Sequence, residues 1–262
     1  MFEFGGRRMS GGIGGHGHRV DAAALAGQGR GDQLATLRRA MEAVGGGVAS
    51  ASRVARVPEH EVLAVPGALG EVLPAGGLVR GQVTACPRGS VLAGLLAAVT
   101  GAGRTAAVIG GRSLGLLSAH EFGARLDRLW VVEPGPDPLA VLSILTEALD
   151  MVVLDVDDLT VTPAGGRPVL AKVRNHGCAL VLSGRRIRGL RADLTLAART
   201  VAYDGLGAGF GRVRAIHVMV SAGERGRAAR TTHLVAAPAA DGAMGWSVQH
   251  AHRTRRRLPE TG

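Results

Sequence analysis

Aromatic residues make up only 3% of the 262-residue chain, and of its 31 basic residues only Lys172 is lysine. With so few rings to stack on unpaired bases, any contact with single-stranded nucleic acid is expected to rest on phosphates and to weaken steeply with salt. Two cysteines, Cys86 and Cys178, are too few for a disulfide framework, and both fall in apolar strand patterns where thiols serve as small core fillers. The longest apolar runs, such as Val91 to Val99 and Met151 to Leu154, fall well short of the ~20 residues that cross a bilayer, so no membrane partner is expected. The amino-terminal stretch MFEFGGRRMSGG lacks the apolar centre of a secretory signal, which predicts a cytoplasmic protein. No GxxxxGK followed by Ser or Thr occurs, and no Ser, His and Asp grouping has nucleophile-elbow spacing. The pairs His16, His18 and His250, His252 are incomplete as metal sites, so neither metal nor cofactor is expected.

What is present is a chain with 46% hydrophobic residues, enough for one sizeable core, and a formal charge of +10. That charge favours a polyanion or an acidic protein as partner, although the 41 glycines and the preference for Arg over Lys also reflect compositional bias. Residues 1 to 31 are Gly-rich without an apolar period and are expected to form a disordered tail. Leu34, Leu37, Met41 and Val44 then recur at helical spacing behind Asp32 and end at Gly45 to Gly47, which predicts a short amphipathic helix that opens a domain over residues 32 to 237.

From Val79 onward strand and helix patterns alternate. Val79 to Cys86, Thr105 to Ile109, Leu129 to Val132, Met151 to Leu154 and Ala179 to Leu182 read as strands. Ser90 to Ala102, Pro138 to Leu149 and Pro168 to His176 read as helices, the second capped by Asp137. After Asp193 the period becomes two. The expected fold is therefore α/β, a mostly parallel sheet flanked by helices on both faces, with antiparallel strands at the carboxy-terminal end. DGLGAGFG, residues 204 to 211, precedes one of these strands and reads as a strand connection, not a dinucleotide loop. Residues 238 to 262, with Arg253, Arg255, Arg256 and Arg257, read as a flexible basic tail.

AGGLVRG at 75 to 81, TAAVIGG at 105 to 111 and MVVLDVDDLTVTP at 151 to 163 resemble, in order, the segments around the nucleotide site of RecA-family recombinases. The resemblance implies a RecA-like fold. It also aligns Pro87, Arg88, Gly89 and Ser90 with a phosphate loop shortened by roughly five residues. Proline removes an amide donor there, and Arg88 is a poor replacement for a cradle of backbone amides. Where the family carries a water-orienting glutamate stands Arg112, while Asp155 matches the magnesium-binding aspartate of the Walker B strand. Without phosphates, Asp155, Asp157 and Asp158 are more simply solvated turn formers. One family DNA loop shrinks to AGGRP, residues 164 to 168. The second becomes SGRRIRGLRAD, whose Arg185, Arg186, Arg188 and Arg191 repel one another unless an anion or acidic partner is near.

RecA-like chains without a working phosphate loop include the ImuA group, and VTACPRGS and CALVLSGRRIRGLRADLTLAAR resemble its actinobacterial ImuA-prime branch. That resemblance implies a non-catalytic accessory protein of damage-induced, error-prone translesion DNA synthesis, nucleoid-associated. Its implied partners are ImuB (an inactive relative of Y-family polymerases), an error-prone replicative-type polymerase and, as a further candidate, DNA. Alternatives are an ATP-dependent recombinase paralogue remodelling DNA and a SulA-like inhibitor of cell division.

Overall fold

A computed structural model describes residues 18–20, 61–112, 114–207, 210–240 and 242–249. The expected helix at 32 to 44 and the four arginines at 253 and 255 to 257 lie outside the described residues. The strands are β1 (His18–Val20), β2 (Val62–Ala64), β3 (Gly77–Val79), β4 (Val83–Ala85), β5 (Ala106–Gly110) and β6 (Leu129–Val132). They continue with β7 (Met151–Asp155), β8 (Ala179–Leu182), β9 (Leu194–Gly207), β10 (Phe210–Glu224), β11 (Arg230–Pro238) and β12 (Met244–Val248). The helices are α1 (Ala68–Val72), α2 (Ser90–Gly101), α3 (Leu116–Glu121), α4 (Pro138–Ala148) and α5 (Pro163–His176).

Ten strands form one sheet in the order β1-β6-β5-β7-β8-β4-β9-β10-β11-β12, while β2 and β3 make a separate antiparallel pair. Pairing is parallel from β1 through β9 and antiparallel from β9 to β12, the architecture expected from the patterning. The continuous apolar runs are explained by helices on both faces. Ala106, Val108, Met151, Val153, Ala179 and Val181 pack toward α1 and α2. Their neighbours Ala107, Ile109, Val152, Leu154, Leu180 and Leu182 pack toward α4 and α5. Each central strand thus buries alternate residues in two different cores.

The structure corrects several sequence expectations. The single strand expected over Val79 to Cys86 is two short ones in different sheets, separated by a turn in which the Gln82 N–H donates to the Val79 carbonyl. Helix α5 begins at Pro163, not Pro168, because Thr162 caps it through the Gly165 N–H and Pro163 occupies the first turn. AGGRP is consequently the opening of a helix, not a shortened DNA loop. Within the segments expected to be unstructured tails, His18–Val20 pairs with β6, and Met244–Val248 is the last strand of the sheet.

The topology fixes where a site can lie. β5 connects to β6 on one side of the sheet, whereas its neighbour β7 connects to β8 on the other, so chain direction reverses there. The carboxyl ends of β7, β8 and β4 lie side by side, with Leu154 against Leu182 and Leu182 against Ala85. In open α/β sheets, ligands bind in crevices at this kind of switch point.

Candidate functional site

Four residues, Cys86 to Gly89, lead from β4 into α2. Cys86 stays in the sheet, its N–H donating to the Leu182 carbonyl, and burial pushes its thiol up to about 12, so it is an inert core group. Gly89 precedes α2 with φ 129° and offers no side-chain cap. Arg88 therefore lies directly before the helix, at the mouth of the crevice.

Its guanidinium turns inward and not toward solvent. Arg88 Nε donates to Asp155 Oδ1 at 2.5 Å, and Nη2 and Nη1 donate to the two oxygens of Asp157 at 3.0 and 3.4 Å. The Asp155 side chain, at the end of β7, is 1% exposed, and Arg88 is 25% exposed. Burial works against the charge on Arg88, but hydrogen bonds to Asp157 and then Asp155 outweigh it and raise the guanidinium above its ordinary value. The cation thus sits where the RecA resemblance would put magnesium and phosphate. One Asp155 oxygen, Oδ2, is buried without a hydrogen-bond partner among the described residues.

Asp157 joins this pair to the arginine loop that follows β8. It accepts from the Arg185 N–H at 2.8 Å, and that bond, with the Arg88 bond next, holds its carboxyl below the usual range. Arg186 grips Asp158 with two bonds, Nε to Oδ1 at 2.5 Å and Nη2 to Oδ2 at 2.8 Å. Asp158 and Arg186 are also the two non-glycine residues with positive φ among those described, at 58° and 59°. Their mutual grip offsets some of the cost of that backbone. The Asp158 N–H donates to the Arg185 carbonyl, Arg188 N–H to Leu159 and Val161 N–H to Arg188. Residues 157 to 161 and 185 to 188 therefore form one joined ribbon. Gly184 permits the approach, since a Cβ there would stand 1.5 Å from the Val156 carbonyl oxygen.

The structure brings together Arg88, Asp155, Asp157, Asp158, Arg185 and Arg186, and it leaves others apart. The three acids are not simply solvated turn formers: Asp155 is buried, and each pairs with an arginine. Mutual repulsion within the arginine loop is relieved inside the chain for Arg185 and Arg186, whereas Arg188 and Arg191 are exposed and make no ion pair among the described residues. Arg112 is exposed beyond β5. Sequence reasoning singled out Arg88 and Asp155 separately but missed their pairing, because nothing in either segment specifies the 67-residue contact. It read the antiparallel strands and the connection between β9 and β10 but did not single out Tyr203 and Phe210, whose exposed rings resemble ordinary strand residues in sequence.

The set does not fit a nucleoside triphosphate. Its cation is engaged by two carboxylates, its loop is too short to present successive amides, and the carboxylate that would take magnesium is neutralised. The arrangement holds two loops and a helix terminus in fixed relation.

Residues 71–189, which include this whole constellation, match the family model described as the MT3502 N-terminal domain. The chain is also similar to uncharacterized protein Rv3395c of Mycobacterium tuberculosis, 34% identical over 208 residues that cover 75% of this chain and 93% of the relative.

Proposed function

This chain belongs to the MT3502 family, and from the resemblance of its motifs and the closed crevice we propose that it is a RecA-like, ImuA-type accessory protein that acts without nucleotide chemistry. On this reading it supports damage-induced, error-prone translesion DNA synthesis by scaffolding. It would hold ImuB and an error-prone replicative-type polymerase, with the nucleoid as its place of work. The observation that carries the reading is Arg88 seated on Asp155 and Asp157 at the position of a phosphate loop. A cation fixed there substitutes for magnesium and phosphate, and turns a catalytic crevice into a structural joint. The order of the resembling segments along the chain supports the same conclusion.

The test is the frequency of damage-induced mutation in a strain lacking the chain. Deletion should abolish induced mutagenesis, and the wild-type gene should restore it. Asp155→Asn, produced at equal level, should restore it as well, since no metal-dependent step is asked of that carboxylate. Normal induced mutagenesis in the deletion strain would end the translesion reading, and failure of a folded Asp155→Asn protein would end the non-catalytic one.

A further inference from the structure

The hairpin β9–β10 runs beyond the body of the sheet. β4 pairs with β9 only at Leu194 and Thr195, and β11 pairs with β10 only between Ile216 and Ala222. Beyond Tyr203 and Ile216 the two strands are paired with each other and with nothing else among the described residues, and they form a two-stranded arm with Tyr203 at its root.

This arm carries an unusual surface. Of the six large hydrophobic residues that are exposed among those described, five are on the hairpin, namely Tyr203, Leu206, Phe210, Val213 and Met219. Phe210 is 76% exposed and Tyr203 53%. The chain has a single tyrosine and four phenylalanines, so two scarce rings stand in solvent on one arm, where they add nothing to the core. The register also slips. Leu206 faces Gly211 and Asp204 faces Ala215, which leaves Arg212, Val213 and Arg214 opposite Gly205 alone. Such a bulge bends the ribbon and re-aims its side chains. Gly205 is required for it, since its φ is 90° and an added Cβ would stand only 2.3 Å from the Arg212 carbonyl oxygen.

Charge completes the picture. Arg212 and Arg214 are exposed and make no ion pair among the described residues, in contrast to Arg185 and Arg186. The acid nearest them in register, Asp204, is taken by the ring of His217 at 2.9 Å. Unpaired arginines beside solvent-facing rings match single-stranded nucleic acid, whose bases stack and whose phosphates need cations. A duplex hides its base faces, and a second copy of the arm would bring like charges together.

We propose that the β9–β10 arm binds single-stranded nucleic acid, with Tyr203 and Phe210 stacking on bases and Arg212 and Arg214 meeting phosphates. From Tyr203 to Gly207, the register partner of Phe210, is roughly 13 Å of strand, enough to separate two stacked bases. The surface lies outside the crevice and does not depend on the translesion reading.

The experiment is fluorescence anisotropy of labelled oligo-dT with the full chain at low salt. The wild type should bind, and an unlabelled single strand should compete far better than a duplex of equal length. Tyr203→Ala with Phe210→Ala should weaken binding at least about tenfold. Arg212→Ala with Arg214→Ala should also reduce the slope of log affinity against log salt by roughly 1.4. Both double variants change exposed side chains and should keep the wild-type melting temperature. Arg188→Ala with Arg191→Ala, in the core loop, should bind as the wild type does. The proposal is overturned if the wild type fails to bind, if duplex competes equally, or if the core-loop variant loses binding while the arm variants keep it.

Discussion

Arg88 shows how one side chain can change what a crevice does. Three bonds to two aspartates fix it, and its closest partner is buried. Removing the guanidinium leaves the Asp155 carboxylate without a countercharge in a site that water reaches poorly. A fully buried pair broken in this way costs about 3–5 kcal/mol, and an exposed one about 1 kcal/mol or less. With Arg88 a quarter exposed, Arg88→Ala is expected to destabilise the fold by about 2 kcal/mol in urea unfolding. Arg88→Met combined with Asp155→Leu should recover most of that loss, because the desolvation cost of both charges disappears together. A single variant as stable as the wild type would show that the pair contributes nothing. At this scale the sequence was informative about residue types and silent about partners. The arginine in a shortened loop and the aspartate ending a strand were both legible, but their contact depends on strands 67 residues apart being brought into one crevice.

Among elements, legibility followed the strength of the local pattern. Helix α4 was readable from Asp137 and Pro138, and the cap forms as expected, with the Ala140 N–H donating to Asp137. Helix α3 was not readable, since Leu116–Glu121 is too short to show a period. Asp150, just before β7, ties three elements at the amino ends of the strands, a role that no local pattern around it announces. It accepts from Arg80 Nη1 at 2.7 Å, in the turn between β3 and β4, and from the N–H and hydroxyl of Thr105 before β5, both at 3.0 Å. Burial would raise the Asp150 carboxyl, but Arg80 and then Thr105 outweigh it and hold it below the usual range. A carboxyl depressed in the folded state contributes stability that is present above its unfolded value, about 4, and is lost as pH falls through the folded one. Asp150→Asn should therefore lower stability at pH 7, and its unfolding free energy should fall less steeply than that of the wild type below about pH 4. Parallel pH profiles for the two proteins would remove Asp150 from the account of acid stability.

For the molecule as a whole, the parallel half and the antiparallel half depend on each other through the last strand. Trp246, on β12, stacks on Phe122, just after α3, with centroids 5.2 Å apart and planes 5° from parallel. Its indole also lies over Gly94 of α2, where an added Cβ would approach Nε1 to 2.6 Å. A glycine inside that helix thus makes room for a ring delivered from the far edge of the sheet, a relation that no window of sequence reveals. Composition suggested instead that everything after Pro238 was tail, because Ala, Gly and Arg dominate there and the strand is only five residues long. A chain ending at Gln249 keeps β12, and a chain ending at Pro238 loses it together with the Trp246 contacts. Loss of a large, partly buried aromatic and of one strand's ladder should make the shorter chain less stable by on the order of 3 kcal/mol or more. Urea unfolding of the two truncated proteins measures the difference directly. Equal midpoints would mean that β12 merely decorates the sheet, whereas the expected gap would set the boundary of the folded unit beyond Val248 and confine any separable basic segment to the residues after Gln249.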